Sequence, residues 1–218
     1  MSRKISFANG EFYHIFNRGV DKRKIFLCGE DLRRFFQSMN EFNSIKPIGS
    51  IYENSFHKDK KSELDDLIDG ESRKLVNFIC YCLNPNHYHF ILEQSVDSGI
   101  EKFMHKLGGY SWFFNKKYNR SGSLFQGPFK AVHIDSNERL LHTSVYVNLN
   151  DKVHQLGGGA AKLVNSSWEE YVGDDKSGFC DKGIILDQFQ GKEKYEDFAK
   201  SSLLDIKERR EMNLLLLE

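Results

Sequence analysis

Nowhere does the chain approach the roughly 20 consecutive apolar residues that span a bilayer, and residues 1–12 lack the apolar core of a secretory leader. No membrane partner is therefore expected, and the expected location is the cytoplasm, beside the nucleoid if the partner is nucleic acid. Paired cysteines are missing as well. Cys28, Cys80, Cys82 and Cys180 contain no CxxC, and Cys80 and Cys82 share one face of an expected strand, as core thiols rather than metal ligands do. An excess of one charge is the third absence. Lys and Arg total 31 and so do Asp and Glu, which by itself argues against a polyanionic partner, because phosphate neutralisation draws on surplus cations.

That balance is an average over an uneven chain. Residues 100–134 carry six basic groups (Lys102, Lys106, Lys116, Lys117, Arg120, Lys130) against Glu101 alone, whereas residues 165–218 carry thirteen acids against eight bases. One surface, not the whole molecule, is thus expected to meet a polyanion. Hydrophobic residues at 39% and 18 phenylalanines in 218 residues describe an ordered chain with ample core for one domain and an appendage.

Aromatic and β-branched residues crowd residues 11–17 up to the turn signal Asn17-Arg18-Gly19, predicting a strand. Leu32, Phe35, Phe36, Met39 and Phe42 then recur at helical spacing. A charged insertion at about 47–74 follows and is expected to be an exposed loop. Residues 75–83 and 88–92 are β-rich runs joined by Asn84-Pro85-Asn86, a hairpin signature. Residues 99–118 read as one amphipathic helix, 129–134 as a strand, and 137–149 as a helix. The order βαββαβα is the split βαβ, ferredoxin-like arrangement of the α+β class, an antiparallel sheet with helices on one face. Gly157-Gly158-Gly159 breaks the pattern. Residues 1–155 are therefore read as the main domain and residues 156–218 as a small, mainly helical accessory extension.

Strand alternation puts His87 and His89 on one face, about 7 Å apart from two rises of roughly 3.3 Å, where two imidazoles can share a metal ion. A bare HxH is more often a solvated pair on an edge strand, so its context matters. The run from Tyr81 to Leu92 resembles the HUH signature strand of insertion-sequence-200-like transposases and their REP-associated tyrosine transposase relatives, with Tyr88 as the bulky central residue. Similar blocks occur in the family's order at residues 13–19, 103–107, 114–118, 121–127 and 129–131, spanning roughly residues 11–150.

The resemblance implies a metal-dependent, single-tyrosine enzyme that nicks and rejoins single-stranded DNA, expected to be hairpin-forming, through a 5′-phosphotyrosine. It implies His87 and His89 as ligands of Mg2+ or Mn2+ and Tyr146 as nucleophile. Asn150, four residues on and on the same helical face, is the implied third ligand. Relatives often continue with Asn-Pro where this chain has Asn150-Asp151, and without that proline the helix is expected to run further. His154 is a reserve ligand, better described as a surface residue. His14 and His133, alone in their strands, are expected to be ordinary core or surface groups. Arg18, Lys22, Lys116, Lys117, Arg120, Phe125, Gln126 and Lys130 are the candidate DNA contacts. Homodimers are common in the family, so a second copy is a candidate partner. A domesticated, non-catalytic nucleic-acid-binding module and a phosphodiesterase using water are the competing readings.

Overall fold

Strand β1 (Phe12–Arg18) buries Tyr13 and Ile15 on one face and turns Phe12, His14 and Phe16 to the other, the period of two that a strand packed on both sides requires. The computed structural model describes residues 5–49, 51, 74–174 and 178–215, with side chains as far as 209. The insertion expected at about 47–74 falls largely outside these residues.

β2 (Val76–Asn84) and β3 (His87–Gln94) form the expected hairpin across Pro85 and Asn86, and β4 (Lys130–Ile134) pairs with β1. The sheet is antiparallel throughout, in the order β4-β1-β3-β2-β5, where β5 (Asn165–Ser166) adds two residues to the edge of β2. The first four strands have the ferredoxin-like order, so the fold is α+β as its element sequence predicts.

One face carries α1 (Gly29–Glu41), α2 (Gly99–Leu107) and α3 (Tyr110–Lys117). Phe35, Met39, Ile100, Phe103, Tyr110 and Phe114 pack there against Tyr13, Ile15, Phe78, Phe90 and Leu92. The single helix predicted over 99–118 is two helices. Gly108 and Gly109, the weakest helix formers short of proline, sit at the break, and Gly109 and Ser111 close i to i+3 hydrogen bonds there.

Helices on one face describes only this half of the sheet. The other face is covered by α4 (Asn137–Asn148), α5 (Asn150–Val153), α6 (Trp168–Val172), α7 (Gly183–Leu186) and α8 (Lys192–Leu215). Ser136 caps α4 by accepting from the Arg139 amide. Val145, Val147 and Leu149 then meet Ile79, Cys80, Cys82 and Ile91, together with Tyr171, Ile185, Tyr195 and Ala199 from beyond residue 155. Described residues beyond 155 thus contribute large side chains to a core on this face of the sheet. Burial pushes the Cys80 and Cys82 thiols well up from their usual range, in keeping with core thiols.

Polar side chains stitch the layers. Asn43, after α1, donates to the Val76 carbonyl and accepts from the Leu75 and Val76 amides, all buried. Asn43→Ala leaves three backbone groups at the start of β2 without partners, and we expect a loss of about 2–4 kcal/mol, read as a fall in Tm. A Tm unchanged within a degree or two would contradict that.

Candidate active site

His14, Phe16, His87 and His89 lie on the sheet face that α4 and α5 cover, because β1 and β3 pair in a register that sets Phe16 opposite His89 and Arg18 opposite His87. Tyr146 on α4 completes the group. Its ring stands edge-on to His89 at 5.5 Å and to His14 at 5.9 Å between centroids, and the His87 and His89 rings are perpendicular at 5.2 Å. Tyr146 is partly exposed, and among the described residues nothing hydrogen-bonds its hydroxyl. His87, His89, Tyr146 and Asn150 are thereby brought together in a single chain.

Each imidazole is held by a neighbour. Asn86 donates its amide to the Lys22 carbonyl, so its oxygen faces His87 Nδ1 at 2.7 Å as acceptor. His87 Nδ1 therefore carries the proton and Nε2 the lone pair, the tautomer a metal ligand needs. The Lys22 carbonyl is presented by an unusual turn in which Asp21 and Lys22 both adopt left-handed backbone, at φ 52° and 58°. Gly19, which follows β1, permits this packing: a Cβ there would stand 2.1 Å from the Arg23 carbonyl oxygen. On the other side, His89 Nδ1 is 2.8 Å from His14 Nε2.

Burial keeps these rings neutral. It pushes His14 down to about 4, and lowers His87, with the Asn150 side chain opposing the shift and the nearby Arg18 charge adding to it. His89, 7% exposed, is held well below the usual histidine range by burial first and then by the three neighbouring imidazoles.

Asn150 is fully buried. Its Oδ1 is 2.9 Å from His87 Nε2 and 2.8 Å from Asn84 Nδ2, which is itself 3.0 Å from His87 Nε2. Three groups in mutual contact cannot all be complementary, since a triangle of donors and acceptors always contains one like pair. Here the like pair is His87 Nε2 and Asn150 Oδ1, two lone pairs facing each other, and Asn150 Nδ2 is buried without a partner among the described residues. A cation between the two lone pairs converts that repulsion into ligation, so these donors fit a divalent ion. Among the described residues no three His, Cys, Asp or Glu side chains group as a metal cage. A site here depends on the amide oxygen as its third donor.

The helix does not run on past Asn150 as the missing proline led us to expect. It stops at Asn148, Leu149 departs from helical geometry at φ −110° and ψ 24°, and α5 starts at Asn150. His154, at the end of α5, is half-buried with its ring 4.9 Å from that of His87, rather than a surface group. Sequence reasoning also missed His14 and Asn84. Strand alternation held the signal for His14, since adjacent strands that both carry histidines on one face bring them together.

The candidate DNA contacts divide into two groups. Arg18, which donates to the Gln126 side chain, lies with Gln126 at the sheet end beside His87; Lys130 pairs with Phe16 in register, and Lys22 is exposed on the neighbouring turn. Phe125 is instead half-buried against Tyr88. Lys116, Lys117 and Arg120 belong to the helical layer on the opposite face. Lys117 is committed to an ion pair with buried Asp31 at 2.8 Å and with Glu30 at 2.7 Å, joining α3 to α1, which takes it out of the candidate contacts. Lys116 lies over the exposed Trp112 ring at 4.9 Å, and the Arg120 guanidinium 5.5 Å from Phe114. His133 pairs with Glu11.

No family model matches the chain, and no curated protein does. A solved structure of a REP-associated tyrosine transposase bound to a REP hairpin is similar at 12% identity and a TM-score of 0.49, covering 80% of this chain and 86% of that one. That degree of likeness assigns no role to any residue here.

Proposed function

We propose that the chain opens and rejoins single-stranded DNA through a covalent bond between Tyr146 and a 5′-phosphate. One observation carries this reading: a partly exposed phenol, free of hydrogen bonds among the described residues, stands against His89 while His87 Nε2 and Asn150 Oδ1 face each other at 2.9 Å. The sequence blocks that resemble the single-tyrosine HUH transposases support it from a separate direction.

His87, His89 and Asn150 would hold the divalent ion, Mg2+ or Mn2+, which when bound withdraws charge from a non-bridging phosphate oxygen as phosphorus becomes five-coordinate. Arg18, Gln126 and Lys130 supply donors for the adjoining phosphates. The Tyr146 oxygen forms the new bond to phosphorus and gives its proton to solvent. The bond from phosphorus to O3′ breaks, and O3′ takes up a proton. One phosphoester replaces another, so the released 3′-hydroxyl can reverse the step or join a new strand with no outside energy source. Every group named belongs to one chain, so the site needs no second copy.

Incubated with hairpin-bearing single-stranded oligonucleotides and Mn2+, then denatured, the protein is expected to migrate as a covalent DNA adduct that EDTA prevents. Metal-dependent cleavage leaving free 5′-phosphates and no adduct would make water the nucleophile and sink the proposal.

A further inference from the structure

The two candidate ligands are oriented by different partners. His87 is held through Nδ1 by an amide oxygen, the usual kind of acceptor behind a metal-bound imidazole, whereas His89 has a second imidazole in that place. We infer that His14 is the positioning residue for His89: its Nε2 accepts the His89 Nδ1 proton and so leaves the His89 Nε2 lone pair for the metal. This rests on the metal reading above.

Geometry narrows the choice. The His14–His89 contact has two proton arrangements. If His14 donates, His89 accepts at Nδ1, carries its proton on Nε2, and cannot ligate through that atom. If His89 donates, Nε2 is free. Metal binding at His89 Nε2 therefore selects the second arrangement, and His14 must present an acceptor for it to exist. Among the described residues His89 Nδ1 has no other hydrogen-bond partner, and the rings of Phe16, His87 and Tyr146 that surround it accept no proton from it. The same ring of His14 lies end to end with His89, 22° from its plane, and stands edge-on to Tyr146, so it also fixes the plane of the ligand against the phenol. An aliphatic side chain at position 14 fills part of that space without accepting a proton.

The test is Mn2+ binding by the full chain, with the coordinated imidazole nitrogens counted by pulsed electron paramagnetic resonance. His14→Leu is expected to weaken Mn2+ binding about 10–100-fold, the range seen when the partner behind a metal ligand is lost. His14→Gln, whose side-chain oxygen reaches the position of Nε2, is expected to recover most of it. The count of bound imidazoles stays the same in wild type and His14→Gln. A count that falls by one in His14→Gln makes His14 a ligand and overturns the inference. So does Mn2+ affinity unchanged in His14→Leu. His87→Ala and His89→Ala separate the two readings: if they too leave Mn2+ binding intact, the metal site itself is wrong and this inference falls with it. Melting curves on both His14 variants guard against misfolding, and a failure of Gln to recover binding in a folded protein also counts against the assignment.

Discussion

Tyr146→Phe is expected to lower covalent DNA capture on the order of 10^4-fold or more, while the protein melts within a degree or two of wild type. Removing the nucleophile of a covalent mechanism removes the step itself, and what remains is the slow background of water attack. The fold should not notice, because the phenylalanine ring retains the edge contacts to His14 and His89 and the lost hydroxyl has no partner among the described residues. Tyr171 provides the contrasting control. Its buried hydroxyl donates to the Ile79 carbonyl at 2.7 Å, so Tyr171→Phe abandons a buried acceptor and lowers stability instead of chemistry. Adduct formation by Tyr146→Phe at anything near the wild-type rate would move the nucleophile to another residue.

Ending the chain after residue 155 is expected to abolish cooperative folding. The cut removes Tyr171, Ile185, Tyr195 and Ala199, each fully buried, and bares Ile79, Cys80, Cys82, Val145 and Val147. At roughly 1.5–3 kcal/mol for each large side chain withdrawn, the loss is about 5–10 kcal/mol, comparable with the whole stability of a typical domain. It also strips polar anchors from α4. The Tyr195 hydroxyl accepts from Asn148 and meets Ser144, while Ser167 bonds Asn148 and the Tyr81 amide. A fragment of residues 1–155 that unfolds in one sharp transition close to that of the full chain would refute this.

The strands and their order were legible because period-two alternation and the Asn84-Pro85-Asn86 turn are local signals, and four antiparallel strands with two crossing helices have one common arrangement. The glycine pair inside the second helix was visible in the sequence, but a continuous apolar stripe masked it. Residues 156–218 looked like an appendage because short helices with charged surfaces give weak periodicity, and Tyr171, Ile185 and Tyr195 are scattered anchors rather than a stripe. In the site, His87 and His89 share a strand, and Tyr146 and Asn150 lie one helical turn apart, so spacing alone could relate each pair. His14, Asn84 and His154 reach the same place from three other segments, and only the strand register and the bend after α4 bring them in. Lys117 misled for the opposite reason: a run of cations looks free until the buried carboxylate that claims one of them, Asp31, is located.

The bend at Leu149 has a mechanical consequence. On an unbroken helix, Tyr146 and Asn150 would ride one rigid rod, and any adjustment of the amide oxygen would carry the phenol with it. With α4 anchored through Asn148 and Ser144, and α5 beginning afresh at Asn150, the phenol and the amide oxygen sit on separately packed helices joined at one backbone position. On the proposed reading, the group that would hold the ion and the group that would attack phosphorus are thus set by different helices within five consecutive residues.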